Sequence, residues 1–272
     1  MIPKLFHYVW IGPYQDDVKV HDHWTKIMPE YTKVIWDNKL AKDYIFHAVE
    51  LLGIDTLQDK SFTYLSDLIR LMILKDHGGV YLDHDIEIYK DFSELLDTDL
   101  VLTYQYSNDN NELLPSYTKG LTLAEVIEKE YSVFSKTSAT VNNCFIASTP
   151  DHPFINSVFK ATVAHHYLPK DKQYAMMDWG IGPDIFTEVA NTWGFNTKSC
   201  KTEICNDVKI LSNNYLHAVH GNIRSRLGQD AYEESINEAK KSSYAIHLHT
   251  HTGAKKFKDR ENMPLLNWLK TL

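Results

Sequence analysis

The sequence predicts a single α/β domain, and two patterns along the chain support this fold class. An opening strand–helix–strand unit is predicted from an apolar run at residues 5–11, an amphipathic stretch at 18–28 and a second apolar run at 31–36. Farther on, residues 64–75 place apolar side chains on one helical face, and a Gly-Gly pair then leads into a strand-like run at 80–89. The chain has 272 residues, 43% of them hydrophobic, which is enough to bury the core of one such domain.

Shorter elements are predicted for the rest of the chain. Helices are expected over residues 121–134, 154–166 and 183–193, and strands over 143–148 and 244–249. No composition break and no internal repeat divides the sequence, so residues 1–272 are predicted to form one domain.

Composition and charge exclude several classes of protein. A formal net charge of −8 argues against nonspecific binding to nucleic acid. Cys144, Cys200 and Cys205 lack the pairing of a disulfide framework and the spacing of a structural zinc site, so they are predicted to be reduced thiols. No signal-peptide pattern and no apolar run of about 20 residues is found, so a cytoplasmic protein is expected.

The Asp83-His84-Asp85 segment is the strongest candidate for chemistry. On one predicted strand, Asp83 and Asp85 point to the same side, because alternate residues of a strand share a face. Two neighbouring carboxylates repel each other unless a cation lies between them, and oxygen ligands suit Mn²⁺ or Mg²⁺. The alternative is a solvated face of an edge strand, which an Asp-x-Asp pattern by itself favours.

The helix before this strand carries a second polar pair. Asp67 and Arg70 are spaced i, i+3, off the apolar stripe. They are expected either to contact a sugar and its phosphate or to form an intrahelical salt bridge.

The motifs in these segments resemble the signature of the DXD-containing sugar transferases, glycosyltransferase family 32, which is remotely similar to the glucosylating bacterial toxins. The resemblance rests on SDLIR at 66–70 and GGVYLDHD at 78–85, with weaker matches of IPKLFHYVWIG at 2–12, VNNCFIAS at 141–148 and GPD at 182–184. These segments occur in the family's order over most of the chain.

The resemblance implies a GT-A-like fold, a mixed central sheet flanked by helices, with a Rossmann-like nucleotide-sugar-binding half at 1–100. Residues 101–272 would then form the acceptor half and a closing segment. The implied activity is the retaining transfer of a hexose from a UDP-sugar or GDP-sugar to a saccharide acceptor, lipid-linked in capsule, lipopolysaccharide or exopolysaccharide synthesis. Mn²⁺, or Mg²⁺ in its place, is the implied cofactor.

The resemblance also assigns roles within the polar segments. Asp85 would bind the cation directly, and Asp83 would contact the ribose, the cation or both. Asp67 and Arg70 would hold the donor sugar. No catalytic nucleophile is implied, and Asn143 is a weak candidate for a contact near the reacting sugar.

Both ends of the chain would complete the donor site. Val9 and Trp10 are predicted to bind the donor, with Trp10 stacked on the base, although on sequence alone a tryptophan here is more often a core residue. His247, His249 and His251 alternate near the C-terminus, and the family's Gly-Ser-Trp-like turn is replaced by TGAKK at 252–256. His249 is predicted as the third metal ligand and His247 as a donor contact, with the choice between them left open.

Three alternatives concern the second half of the chain. Asp184 is a further weak candidate near the sugar, but an acidic residue in a first helical turn is the simpler interpretation. The Asp-His-Asp and His-x-His-x-His segments together also suit a metal-dependent hydrolase. A basic stretch with an apolar tail (Leu265, Leu266, Trp268, Leu269) predicts either contact with an anionic membrane surface or a helix docked on the core.

Overall fold

The computed structural model describes residues 1–13, 22–57, 60–106, 139–168, 182–197, 201–216, 228–248 and 265–272. Within these ranges the chain forms a mixed eight-stranded sheet with helices packed on it, and a separate two-stranded sheet. The predicted fold class, a mixed central sheet flanked by helices, is confirmed.

The elements follow one another in an α/β order. The strands are β1 Leu5–Val9, β2 Thr32–Trp36, β3 Gly79–Leu82, β4 Ile86–Ile88, β5 Leu100–Tyr106, β6 Ala139–Val141, β7 Phe145–Ser148, β8 Glu203–Cys205, β9 Val208–Leu211 and β10 Ala245–His247. The helices are α1 Asp22–Ile27, α2 Lys42–Leu52, α3 Phe62–His77, α4 Pro153–His166, α5 Gly182–Thr192, α6 Asn213–Leu216, α7 Gln229–Ser242 and α8 Leu265–Leu269, with short 3-10 turns at Ile54–Leu57 and Ser93–Leu95.

The large sheet has the strand order β2-β1-β3-β7-β5-β9-β8, with β6 paired to β5. Strand β1 pairs in parallel with β2 and β3, while β7 runs antiparallel to both of its neighbours, β3 and β5. The parallel pairing of β1 and β2 across α1 confirms the predicted opening unit. In this sheet β2, β1 and β3 are neighbours on one side, and β7, β5, β9 and β8 follow on the other.

Helix α3 forms the centre of one core layer. The Ser61 side chain accepts a hydrogen bond from the Tyr64 N–H at 3.1 Å, and the Gly78 N–H ends the helix by donating to the Leu74 carbonyl at 2.9 Å. The predicted helix is confirmed and the side chains of its apolar face are buried, but burial extends beyond that face to every residue from 67 to 74. The helix packs against β1, β3, α2 and α4, which together cover it on several sides.

The predicted strand over residues 80–89 is broken in the structure. Strand β3 ends at Leu82, and β4 begins at Ile86 in the other sheet. Between them the Ile86 N–H donates to the Asp83 carbonyl at 3.1 Å, which closes a turn. Asp83 and Asp85 therefore do not share the face of one strand, and the alternation argument for them was wrong.

The remaining predicted elements are found within a residue or two of their expected bounds wherever they are described. Helices α4 and α5 and strands β7 and β10 match the predictions, the described part of the first helix is α1, and residues 121–134 lie outside the described ranges. Cys144 and Cys205 are free thiols in the described part of the chain, and Cys200 lies outside it.

The described tail is docked on the core. Leu265, Trp268 and Leu269 are buried, and the Trp268 ring meets that of Phe62 edge-on at a centroid distance of 5.1 Å. The docked-helix alternative therefore holds for residues 265–272, and the basic stretch before them is not described. No helix in the described ranges has the length and apolar character needed to cross a membrane.

Candidate active site

The candidate site lies at the edge of the large sheet where β1 and β3 end. These parallel strands finish at Val9 and Leu82, and the antiparallel β7 begins at Phe145, opposite Leu82. The Asp83 N–H continues the ladder beyond β3 by donating to the Cys144 carbonyl at 2.9 Å. The carboxyl edge of parallel strands is where open α/β sheets usually bind ligands.

A second backbone contact brings the end of the chain to this edge. Strand β10 pairs antiparallel with β4, so that His247 faces Ile86. The Leu248 N–H donates to the Asp85 carbonyl at 2.9 Å. The turn after β3 is therefore held from one side by the β6–β7 connection and from the other by β10.

Three potential metal ligands converge there. One ligand atom from each of Asp83, Asp85 and His247 lies within 4.8 Å of the other two. The Nε2 atom of His247 lies 3.0 Å from Oδ1 of Asp85, whose residue surface is 8% exposed. Two carboxylates and an imidazole suit Mn²⁺ and related divalent cations, so these residues fit the metal that the resemblance implies.

His247 is the electrostatic partner of Asp85. Burial by itself lowers the pKa of the His247 imidazole, but the Asp85 carboxylate and the Cys144 thiol together hold it well above its usual value. The imidazolium form therefore offsets the charge of Asp85 in the protein alone.

Arg70 neutralises the other carboxylates of the site. Its guanidinium lies 2.5 Å from Oδ1 of Asp67 and 3.2 Å from Oδ1 of Asp83, and it donates to the Asn143 carbonyl at 2.7 Å. It is 4.3 Å from the centre of the Tyr81 ring. The predicted intrahelical salt bridge is present, and because it is buried and extends to Asp83, it belongs to the site. A direct contact of Asp67 or Arg70 with a sugar stays a prediction.

Two further side chains hold these carboxylates in place. The Tyr81 hydroxyl donates to Oδ1 of Asp83 at 2.9 Å, and the Asn143 amide donates to Oδ1 of Asp67 at 3.4 Å. Burial, together with the nearby Asp83 and Asp67 carboxylates, raises the pKa of Tyr81 well above its usual value despite the opposing charge of Arg70, so the phenol remains a donor. Asn143 thus lies beside Asp67, and its contact near the reacting sugar stays a prediction.

The predicted base-binding residues lie at the same edge. Val9 ends β1 and is buried, and Trp10 follows it with 8% of its surface exposed. The Trp10 ring lies 6.0 Å from that of Tyr8 and 5.7 Å from that of His84, measured between centroids. Stacking of Trp10 on a base stays a prediction.

The other predicted site residues have different outcomes. His247, predicted as a donor contact, is the described histidine that joins the carboxylates, while His249 and His251 lie outside the described ranges. Asp184 lies in the first turn of α5 and is not part of the three-ligand cluster, in agreement with the simpler interpretation.

Three supporting residues were missed by the sequence reasoning. Tyr81 and Cys144 were given no role, and Trp24 donates from its indole N–H to the Ile86 carbonyl at 2.8 Å, which fixes the start of β4. The period-2 spacing of Tyr81 and Asp83 was a signal for the first contact. The contacts of Cys144 and Trp24 join residues that are far apart in the chain, so no local spacing could predict them.

Two family models match this chain, and both describe glycosyltransferases. A family model described as the glycosyltransferase sugar-binding region containing a DXD motif matches residues 15–118, which include the Asp-His-Asp turn. A second model, the alpha 1,4-glycosyltransferase conserved region, matches residues 147–271, which include β10. The chain belongs to the DXD-containing glycosyltransferases.

Curated relatives of this glycosyltransferase are distant. An uncharacterized glycosyltransferase of Acanthamoeba polyphaga mimivirus is 24% identical over 224 residues, covering 80% of this chain and 73% of the relative. A toxin of Photorhabdus asymbiotica is 24% identical over 220 residues, which are 69% of this chain and 6% of the toxin.

Among solved structures, a chain titled PaToxG Glycosyltransferase is similar at a TM-score of 0.45 and 16% identity, covering 99% of this chain and 86% of that one.

Proposed function

We propose that this glycosyltransferase is a metal-dependent hexosyltransferase that uses a nucleotide-diphospho-sugar donor. The observation that carries the proposal is the convergence of Asp83, Asp85 and His247 at the carboxyl edge of the sheet. A bound Mn²⁺ or Mg²⁺ supplies positive charge where the diphosphate leaving group becomes more negative. The protein's part is to hold the cation and the donor so that this charge lies at the leaving group.

Each residue group has a distinct task in this proposal. Asp83 and Asp85 supply carboxylate oxygens, and His247 supplies a ring nitrogen from the opposite strand. Val9 and Trp10 bind the nucleoside at the end of β1. The base is uracil or guanine, because the family resemblance implies a UDP-sugar or a GDP-sugar as the donor.

The donor sugar is assigned to the corner formed by Asp67, Arg70 and Asn143. All three are linked by hydrogen bonds or ion pairs and adjoin Asp83. A carboxylate and an amide suit sugar hydroxyls, and a guanidinium suits a phosphate oxygen. We assign no nucleophile, and the proposed stereochemical outcome is retention, with the acceptor attacking from the face that the leaving group vacates.

The proposed acceptor is a glycan, lipid-linked during assembly of a bacterial surface polysaccharide, and the proposed location is the cytoplasm. The family resemblance supports this acceptor. Because relatives of the chain include a protein named as a toxin, a protein acceptor is a second outcome for which the test must allow.

The first test is a thermal-shift panel of UDP- and GDP-sugars, each measured with and without Mn²⁺. A ligand that binds only the folded state raises the melting temperature. We expect one donor to stabilise the wild type only when Mn²⁺ is present, and Asp85→Asn to lose this effect. The matched control is Asp55→Asn, which removes an exposed carboxylate in the Ile54–Leu57 turn and should behave as the wild type.

The donor identified in this way is then incubated with glycan or protein acceptors, and the release of nucleoside diphosphate is compared with labelling of the acceptor. Transfer to a glycan supports the whole proposal, and transfer to a protein alone overturns the proposed acceptor. A tightly held transition metal with no response to any nucleotide sugar would overturn the donor assignment and favour the hydrolase alternative.

A further inference from the structure

Asn142 is a buried polar residue in the connection between β6 and β7. Only 2% of its surface is exposed. Its N–H donates to the Thr103 carbonyl at 2.8 Å, and its side-chain amide donates to Oε1 of Gln105. Thr103 and Gln105 both belong to β5, so this strand holds Asn142 through its backbone and through its side chain.

The side-chain oxygen of Asn142 shapes the connection itself. Oδ1 of Asn142 accepts a hydrogen bond from the Cys144 N–H at 2.5 Å, two residues farther along the chain. This arrangement is an Asx turn, in which the side chain takes the place of a backbone carbonyl. The conformation of residues 142–144 is therefore held by a single side-chain oxygen.

The two residues after Asn142 present their carbonyl groups to the site. The Asn143 carbonyl accepts from the Arg70 guanidinium at 2.7 Å, and the Cys144 carbonyl accepts from the Asp83 N–H at 2.9 Å. Arg70 itself lies 3.2 Å from Oδ1 of Asp83. Two successive carbonyls of one turn thus support the first carboxylate of the site, one through the Asp83 backbone and the other through Arg70.

We propose that Asn142 is a positioning residue whose side-chain oxygen aims these two carbonyls at Arg70 and at the Asp83 backbone. Its consequence for catalysis rests on the proposed metal dependence, because Asp83 is one of the three proposed ligands. Removal of a group that orients a metal ligand typically weakens metal binding by about 10–100-fold. Asn142 acts on Asp83 through the turn, so we expect an effect at the lower end of that range.

The test compares Asn142→Ser with Asn142→Ala, two variants that differ by one oxygen atom. A serine hydroxyl can accept the same backbone N–H in an equivalent, weaker turn, and alanine cannot. Both variants leave a similar cavity, so their difference reports the acceptor alone. If Asn142 only filled space, alanine would be at least as good as serine, because it buries no hydroxyl.

Mn²⁺ affinity, measured by electron paramagnetic resonance, is the first readout. The matched control is Asn213→Ala, which removes a side-chain amide on α6 from a residue that is 1% exposed. We expect Asn142→Ala to weaken Mn²⁺ binding on the order of tenfold, Asn142→Ser to recover most of this loss, and the control to match the wild type.

Amide hydrogen exchange, recorded by NMR in metal-free protein, tests the positioning role without the cation. The Cys144 and Asp83 N–H groups donate the two hydrogen bonds that the turn arranges, so both should exchange faster in Asn142→Ala and stay protected in Asn142→Ser. The Leu248 N–H supports the Asp-His-Asp turn from β10, by donating to the Asp85 carbonyl. It is the internal reference and should keep its protection in every variant, which separates a local change from general destabilisation.

The outcomes separate this role from the proposed function. Should the wild type bind no Mn²⁺ while the exchange pattern holds, the metal dependence fails and the positioning role stands. Unchanged protection of the Asp83 N–H in folded Asn142→Ala, or alanine equal to serine, would overturn the positioning role. If Asn142→Ala does not fold, Asn142→Asp decides: it keeps the acceptor and loses the donor to Gln105, so protection of the Asp83 N–H must persist.

Discussion

The Nε2 atom of His247 lies 3.0 Å from Oδ1 of Asp85, and this contact joins the last described strand to the motif turn. The two residues meet because β10 pairs with β4 in a register that places His247 opposite Ile86. A carboxylate that is 8% exposed requires a positive or hydrogen-bonding neighbour. The site is therefore closed by backbone pairing between distant segments, and the side-chain contact follows from that pairing.

Arg70→Ala is expected to destabilise the fold strongly. Its removal leaves Asp67 and Asp83 without their buried counterion, and breaking a buried ion pair costs about 3–5 kcal/mol. Denaturant unfolding measures the change. Lys241→Ala is the matched control, because Lys241 and Glu238 form an ion pair of the same i, i+3 spacing that is exposed. It should change stability little, and equal effects of the two substitutions would contradict the buried network.

Tyr81→Phe is expected to weaken metal binding more than it weakens folding. The substitution removes the hydroxyl that donates to Oδ1 of Asp83 at 2.9 Å. Loss of one such hydrogen bond costs about 1 kcal/mol of stability, whereas loss of a group that orients a metal ligand costs about 10–100-fold in affinity.

The control for this substitution is Tyr64→Phe, which removes a buried hydroxyl that is hydrogen-bonded to His166. It should lower the melting temperature by a similar amount and leave Mn²⁺ affinity unchanged. Calorimetric titration with Mn²⁺ separates the two effects, and equal affinities of both variants would count against the orienting role of Tyr81.

Gly79→Ala is expected to be far more damaging than Gly194→Ala. Both glycines have φ of 93°, so both substitutions share the same backbone strain. A Cβ at Gly79 would lie 2.8 Å from Nε2 of His7 and 2.9 Å from the Leu5 carbonyl oxygen, whereas at Gly194 nothing lies within 4 Å. Overpacking of this kind costs about 1–3 kcal/mol beyond the shared strain. Thermal unfolding of the two variants gives the difference, which should vanish if the Gly79 backbone can shift freely.

His7 is expected to make folding stability depend on pH. Its Nδ1 accepts from the Trp36 indole N–H at 3.1 Å, so its Nε2 donates to the Gly78 carbonyl at 2.8 Å, and the ring is neutral. Burial lowers the pKa of His7 to about 4, with a smaller contribution from His77, whose ring centroid lies 6.2 Å away, and against the opposing hydrogen bond to the Gly78 carbonyl.

The unfolded chain therefore binds more protons than the native protein between about pH 4 and the ordinary histidine range. Stability from neutral His7 is complete above about pH 6.5 and is lost as the pH falls toward 4, by roughly 3 kcal/mol in total. Denaturant midpoints at several pH values should fall less steeply for His7→Gln than for the wild type. The exposed His47 on α2 provides the control, since His47→Gln should leave the slope unchanged.

Local patterns were sufficient for most elements and for the residues of the motif. Helix α3 was predictable because its apolar spacing ends at Gly78, whose φ of 61° suits a residue without a Cβ. The opening β1–α1–β2 unit was predictable because its two apolar runs each end at turn-forming residues. The broken strand after Leu82 was not, because Val80, Leu82, Ile86 and Ile88 fit one alternating apolar pattern that only His84 interrupts.

The sequence by itself determined the α/β class, the Asp-His-Asp and Asp67–Arg70 motifs, and membership of a sugar-transferase family. Only the tertiary structure decided that the aspartates lie on a turn, that His247 faces them, and that the Cys144 carbonyl accepts the Asp83 N–H. The physical reason is that hydrophobic periodicity reports which face of an element is buried. It does not report which distant strands pair, or in which register, and here that register brings the imidazole to the carboxylates.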